Sequence, residues 1–236
     1  YKLQYIYSIK EEGNNYTKFD KIFFVSSKDI SNEKNMHSKI SDRFYLCNIG
    51  IDINEVLKAP ELKLKGKSLV FTGVMDYEPN EDAMVYFIQE VFDKVAKKCP
   101  EVTLYIVGKN PTDKLKKLVI NRKNIIVTGK VDSVFSYIKS STIYISPLRI
   151  GSGKKNKIIE AISCGTPLIA STVSMEGFED IEDKNLILRA DSSNEWVENI
   201  CKLLSDEEKR IDIKKRMFNL LGESYSWKNI AKKLVE

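Results

Sequence analysis

From residue 68 onward, short unbroken runs of apolar and β-branched residues alternate with longer stretches whose apolar positions recur at helical spacing. Strands buried on both faces need such unbroken runs, and intervening helices supply the crossovers of a parallel sheet. The pattern predicts strands at 68–72, 102–107, 124–128, 142–146, 167–171 and 185–188. Several end in glycine or a small residue, so their carboxyl ends are expected to form one functional edge. Helices are predicted over 80–99, 112–120, 132–140 and 154–164, the first with Val85, Ile88, Phe92 and Val95 on one face. Asn80, Thr112 and Asp132 stand where N-caps are expected. After the last strand, 193–205 and 207–221 read as helices, and 226–236 begins another with Ser226 as its cap. The implied fold class is α/β, a Rossmann-like doubly wound parallel sheet.

The first fifty residues follow another pattern: one strand at 21–25, a helix from Ser27, then a polar stretch leading to Tyr45-Leu46-Cys47-Asn48-Ile49-Gly50. A lone strand leaves sheet edges and an apolar face uncovered, so this segment is expected to belong to a domain whose remainder is absent. The expected division is residues 1–50 as the tail of an amino-terminal domain and its linker, 51–222 as the Rossmann-like domain, and 223–236 as a closing helix.

Composition narrows the function classes. Hydrophobic residues at 42% and charged residues at 30% describe a globular chain, and 38 basic against 33 acidic residues suit an anionic ligand without demanding one. The lysines are interspersed with acidic neighbours rather than gathered with aromatics in a stripe, which argues against nucleic acid as a partner. Cys47, Cys99, Cys164 and Cys201 are widely spaced and show neither a zinc pattern nor a disulfide framework, as expected of a reducing cytoplasm. No metal is expected, and His37, the single histidine, receives no role. Tyr86, Phe87 and Phe92 read as core, and Lys214-Lys215-Arg216 as a solvated face.

The densest chemistry lies in Pro147-Leu148-Arg149-Ile150-Gly151-Ser152-Gly153-Lys154-Lys155-Asn156-Lys157-Ile158-Ile159-Glu160-Ala161, between a predicted strand and a predicted helix. Gly151 and Gly153 let a backbone approach a ligand closely, the helix end offers unpaired N–H groups, and Arg149, Lys155 and Lys157 supply charge suited to a diphosphate. Glu160, about two turns into the helix, is placed to accept hydrogen bonds from neighbouring hydroxyls. A Walker A loop is excluded by Leu148 and Lys155, and a dinucleotide fingerprint by Asn156.

This segment resembles the nucleotide-sugar site of family 4 glycosyltransferases, which have the GT-B fold, in the variant patterned Pro-Leu-Arg-x-Gly-x-Gly-x-Arg-x-Lys-x-x-Glu-Ala. Cys164-Gly165-Thr166-Pro167-Leu168-Ile169-Ala170 and Met175-Glu176-Gly177-Phe178 continue the match. Val70-Phe71-Thr72-Gly73, Ile106-Val107-Gly108 and Tyr225-Ser226-Trp227 resemble the domain's first strand, second strand and closing helix. Phe19 to Ser26 and Asn48-Ile49-Gly50-Ile51-Asp52 resemble the end of the first domain and the interdomain linker. The resemblance implies a retaining transferase that moves a hexose from a nucleotide-diphosphate sugar to a glycan or lipid-linked acceptor, in polysaccharide biosynthesis, with no cofactor. The place it implies is the cytoplasm, with room for peripheral contact at the inner face of the membrane. It also implies that Lys155 and Lys157 hold the diphosphate, Glu160 the ribose, Gly73 a close approach beside the phosphates, and Lys130 and Val131 the surroundings of the base. Many relatives carry an acidic residue eight positions before that glutamate, where this chain has Ser152. Two other readings stand beside it: a nucleotide-sugar epimerase of the same architecture, and a non-catalytic nucleotide-sugar-binding module.

Overall fold

In chain order the elements are α1 (Lys2–Tyr16), β1 (Ile22–Phe24), α2 (Ser27–Met36), β2 (Phe44–Leu46), α3 (Ile53–Lys58), β3 (Lys67–Thr72), α4 (Glu78–Tyr86), α5 (Asp93–Lys98), β4 (Val102–Val107), α6 (Asp113–Val119), β5 (Ile125–Gly129), α7 (Val134–Ser140), β6 (Ile143–Ser146), α8 (Asn156–Ser163), β7 (Leu168–Ala170), β8 (Ile187–Arg189), α9 (Ser193–Ser205) and α10 (Glu207–Ser224). They come from a computed structural model that describes residues 2–178, 181, 186–227 and 230–232. Of the expected closing helix, residues 228–229 and 233–236 lie outside the described residues, as does residue 185 of the last expected strand.

Six strands form one parallel sheet in the order β5-β4-β3-β6-β7-β8. Leu69, Val70 and Phe71 of β3, Leu104 and Ile106 of β4, and Ile143 to Ile145 of β6 are fully buried, which is why these strands read as unbroken apolar runs. Helices flank the sheet: α9 packs on α5, and α8 on α7 and α10. The chain winds outward from β3 to β5 and then returns to β3's other side as β6. Adjacent strands with crossovers leading in opposite directions leave a crevice at their carboxyl ends, where open α/β sheets bind ligands.

The helix expected over 80–99 is longer and not uniform. It begins at Glu78 with Pro79 in its first turn, and between α4 and α5 it widens into a π-helical segment, Phe87–Phe92. The wider turn brings Phe87, Ile88, Val91 and Phe92 all into the core, with Phe87 edge-on to Trp196 at 5.7 Å. Thr112 caps α6 as expected, accepting from Leu115 N at 3.2 Å. Asn80 and Asp132 do not cap: Tyr77 and Ser133 hold those positions, and Pro79 places Asn80 inside the first turn.

The amino-terminal segment departs from the single expected strand. β2 pairs with β1 in parallel register, Ile22 with Phe44 and Phe24 with Leu46, and α1 precedes them. Tyr16, Phe24 and Phe44 interlock edge-to-face beneath the pair, while Phe23 and Tyr45 lie on its outer face, 45% and 42% exposed. The segment meets the larger sheet's domain through Ile51, whose N–H donates to Tyr225 O at 2.8 Å, and through Lys28 and Glu176 at 2.7 Å.

Candidate active site

A cleft of about 540 Å³ opens at the carboxyl ends of β3, β4, β5 and β6. Gly73, Lys130, Val131, Gly151, Lys155, Lys157 and Glu160 all line it, so seven of the nine residues singled out from sequence converge there. Arg149 and Gly153 are not among its lining residues.

The floor is backbone against backbone. Gly108, at φ +147°, is so close to the turn after β3 that a Cβ there would stand 1.7 Å from the Gly73 carbonyl oxygen. Side chains at both positions are thereby excluded, for different reasons. A Cβ on Gly73 would meet Nδ2 of Asn80 at 2.6 Å, so the missing side chain makes room for an amide.

One wall is the loop from β6 to α8. Gly151 (φ +113°) and Gly153 (φ +73°) adopt left-handed backbone that other residues avoid, and they turn the chain into α8. Lys155 precedes that helix with no side-chain cap bond, and Lys155, Asn156 and Lys157 line the cleft. Ile158 N–H turns back to Lys155 O at 3.1 Å, and the N–H groups of Asn156 and Lys157 retain capacity for an anion.

Lys157 is buried, with Nζ 4.1 Å from the centroid of the Phe71 ring and donating to Asn80 Oδ1 at 2.7 Å. Burial pushes its pKa down to about 7, and the nearby Glu160 carboxylate offsets only part of that. Glu160 is itself moved upward, by burial first, with the Lys157 ammonium pulling it partly back. Behind them Tyr144, fully buried, shares a 2.6 Å hydroxyl contact with Thr72, and burial raises its pKa. Lys155 reaches Glu176 at 3.5 Å, and burial lowers its pKa against that partner's pull. On the opposite wall Lys130 and Val131 follow Gly129, whose φ of +71° turns the chain out of β5.

Arg149 has other partners. Its guanidinium clasps Asp82 of α4 through Nε (2.9 Å) and Nη2 (2.5 Å) and lies over the Tyr86 ring at 4.7 Å. Sequence reasoning missed the residue that replaces it in importance, Asn80, although Pro79 was a signal that the helix starts before position 80. Gly108 and Thr72 also line the cleft without having been assigned a role. Apart from this site, Glu12, Glu33 and His37 bring ligand atoms within 4.8 Å of one another among the described residues, none of them in the cleft. Within that group His37 Nε2 and Glu33 Oε2 face each other at 3.6 Å, an ion pair when the imidazole is protonated.

A parallel sheet with a glycine-floored, lysine-bearing crevice at its switch point defines a Rossmann-like α/β domain of the kind that forms half of a GT-B glycosyltransferase. The family model "Glycosyl transferases group 1" matches residues 66–206, well over half the chain, and the chain belongs to that family. An uncharacterized glycosyltransferase of Methanocaldococcus jannaschii is 32% identical over 140 residues, 56% of this chain and 35% of that protein. Phosphatidyl-myo-inositol mannosyltransferase of Mycobacterium tuberculosis is 27% identical over 156 residues, 62% of this chain and 39% of that protein. The chain thus spans little more than a third of the length of these two relatives. Among solved structures, TarM of S. aureus superposes with a TM-score of 0.78 at 17% identity, over 96% of this chain and 45% of TarM. WaaG, a glycosyltransferase involved in lipopolysaccharide biosynthesis, superposes with 0.72 at 16% identity, over 90% of this chain and 61% of WaaG. At such identities the structures speak to the fold alone. Among the described residues no helix is long and apolar enough to cross a membrane.

Proposed function

We propose that the cleft binds the diphosphate of a nucleotide-diphosphate sugar, and that the protein transfers the hexose, with retention, to a glycan or lipid-linked acceptor. The observation that carries this reading is Lys157: a buried lysine in the cleft wall, bonded to a neutral amide, on a helix whose uncapped amino end lines the same cleft. A diphosphate supplies the negative charge that the lysine lacks. As the sugar leaves, charge builds on the departing diphosphate, and fixed donors already in place stabilise it without reorganising. Lys155, Lys157 and the first turn of α8 are such donors, so no cofactor is invoked. Glu160 accepts from the ribose hydroxyls, Lys130 and Val131 border the base, and Ser152 stands where the sugar would lie.

The acceptor side falls to the amino-terminal domain, of which residues 1–50 are the tail, while 51–222 bind the donor and 223–236 close the domain. The exposed Phe23 and Tyr45 support this division, because a two-stranded pair is stable only within a larger sheet or under a covering layer, and this face is bare. The relatives above are named as transferases, which adds nothing to the epimerase reading. HepE of Anabaena, solved with UDP and glucose, and the pneumococcal O-GlcNAc transferase, solved with UDP and GlcNAc, indicate the ligand class to try first.

Titration calorimetry of the chain with UDP, GDP, ADP and their sugars, repeated on Glu160→Ala, tests the reading. One nucleotide should bind, and the substitution should weaken it about tenfold to a hundredfold, the loss of hydrogen bonds to a charged acceptor. Silence across the panel, or affinity unmoved by Glu160→Ala, refutes the placement of the donor.

A further inference from the structure

A lysine paired with a carboxylate has part of its charge neutralised before any anion arrives. Lys157 is arranged differently. Among the described residues its hydrogen bond goes to the neutral Oδ1 of Asn80, and no carboxylate stands within ion-pair distance of Nζ. The amide cannot be turned round: Nδ2 of Asn80 donates to Val74 O at 2.9 Å, and a carbonyl can only accept, so Oδ1 is left facing the lysine. Asn80 is 6% exposed, fills the space that Gly73 leaves open, and sits in the first turn of α4, where Pro79 fixes the start of the helix. The bond joins residues 77 positions apart, one from the first turn of α4 and one from α8, both of which line the cleft.

We propose that Asn80 is a positioning residue for donor binding: an uncharged acceptor, locked in orientation by Val74, that aims the Lys157 ammonium into the cleft while leaving its charge unneutralised for a diphosphate. An ammonium has three donors, and this bond uses one. The proposal rests on the donor reading above and adds the residue that makes Lys157 effective. The charged group that acts on Lys157 is Glu160 on the same helix; Phe71 from β3 and Asn80 from α4 bring none.

The decisive variant is Asn80→Asp, which keeps an acceptor of the same size, adds the counter-charge, and gives up the bond to Val74 O, a loss that Asn80→Ala shares. Its carboxylate should hold the ammonium protonated and compete with the ligand for it. Calorimetry is run on the unaltered chain, Asn80→Asp, Asn80→Ala, Lys157→Met and the Asp/Met double variant, from pH 6 to 9, with the nucleotide sugar of whichever of UDP, GDP or ADP the unaltered chain binds. Asn80→Asp should weaken binding at pH 6 about tenfold, the worth of one charge-assisted hydrogen bond, and should flatten the dependence of affinity on pH above 7. Asn80→Ala should weaken binding yet keep that dependence, since the lysine stays buried. On the Lys157→Met background the aspartate should change affinity less than about twofold. A loss of equal size on both backgrounds, or an unchanged pH dependence in Asn80→Asp, overturns the proposal while leaving the donor site standing. Absence of nucleotide binding by the unaltered chain overturns both together.

Discussion

Proton uptake should accompany donor binding, because Lys157 is near its own midpoint at neutral pH. Free, its pKa is about 7, held down by burial. Bound to a diphosphate it faces full negative charge, which returns it to the ordinary lysine range of about 10.4 or above. If only the protonated form binds well, affinity is level below pH 7 and falls tenfold per pH unit above it. From pH 6 to pH 9 the apparent dissociation constant should rise roughly 90-fold, and at pH 8 about 0.9 proton should enter with each ligand. A nucleotide sugar is the right probe, since its diphosphate is a diester with constant charge over this range, whereas a free nucleoside diphosphate ionises within it. Calorimetry in two buffers of different ionisation enthalpy counts the protons directly, and Lys157→Met serves as the control in which the slope vanishes. A flat dissociation constant between pH 6 and 9, with heats that do not depend on buffer, would refute the account of Lys157 as a buried lysine awaiting an anion.

Three further outcomes follow from the same geometry. Lys157→Met should stabilise the free protein at pH 6 by about 1–4 kcal/mol, since it removes a buried charge held by no opposite charge at bonding distance. The sign of the pH term supports this: the folded pKa near 7 lies below the unfolded value near 10.4, so the unfolded chain binds more protons in that window and stability rises with pH across it. The advantage of methionine in thermal melts should accordingly shrink from pH 7 to pH 10, and a constant advantage would count against it. Gly108→Ala should cost about 2–4 kcal/mol or prevent folding, because its Cβ would stand 1.7 Å from the Gly73 carbonyl oxygen and no flexible group can yield; denaturant melts of the purified variant decide this. Arg149→Ala should change nucleotide affinity less than about threefold and stability by less than about 1 kcal/mol, since it loses a half-exposed pair with Asp82 rather than a ligand contact; a tenfold loss of affinity would restore the sequence-based role.

The contrast between Arg149 and Lys157 shows where sequence reasoning reaches and where it stops. The six-stranded sheet was legible because its four central strands are buried on both faces and short-range pattern reports burial directly: Leu69 to Phe71 and Ile143 to Ile145 have no solvent-facing position to interrupt them. β2 escaped because three residues, Phe44–Leu46, are too few to display any period, and α1 because Gly13, Asn14 and Asn15 blunt its helical signal. The π-helical segment escaped because a 3.6-residue template has no place for an inserted residue. Side-chain roles in the cleft obey a different limit. Arg149 and Lys157 sit eight positions apart in one basic run and look alike to any local reading. What separates them comes from α4, 67 and 77 positions earlier: a carboxylate at Asp82 for the one and an amide at Asn80 for the other. Those two residues are themselves only two positions apart, so α4 presents an acid to one lysine-like side chain and a neutral acceptor to the next. The acid satisfies Arg149 within the free protein, and the amide leaves Lys157 with an unmet demand for negative charge in the wall of the cleft.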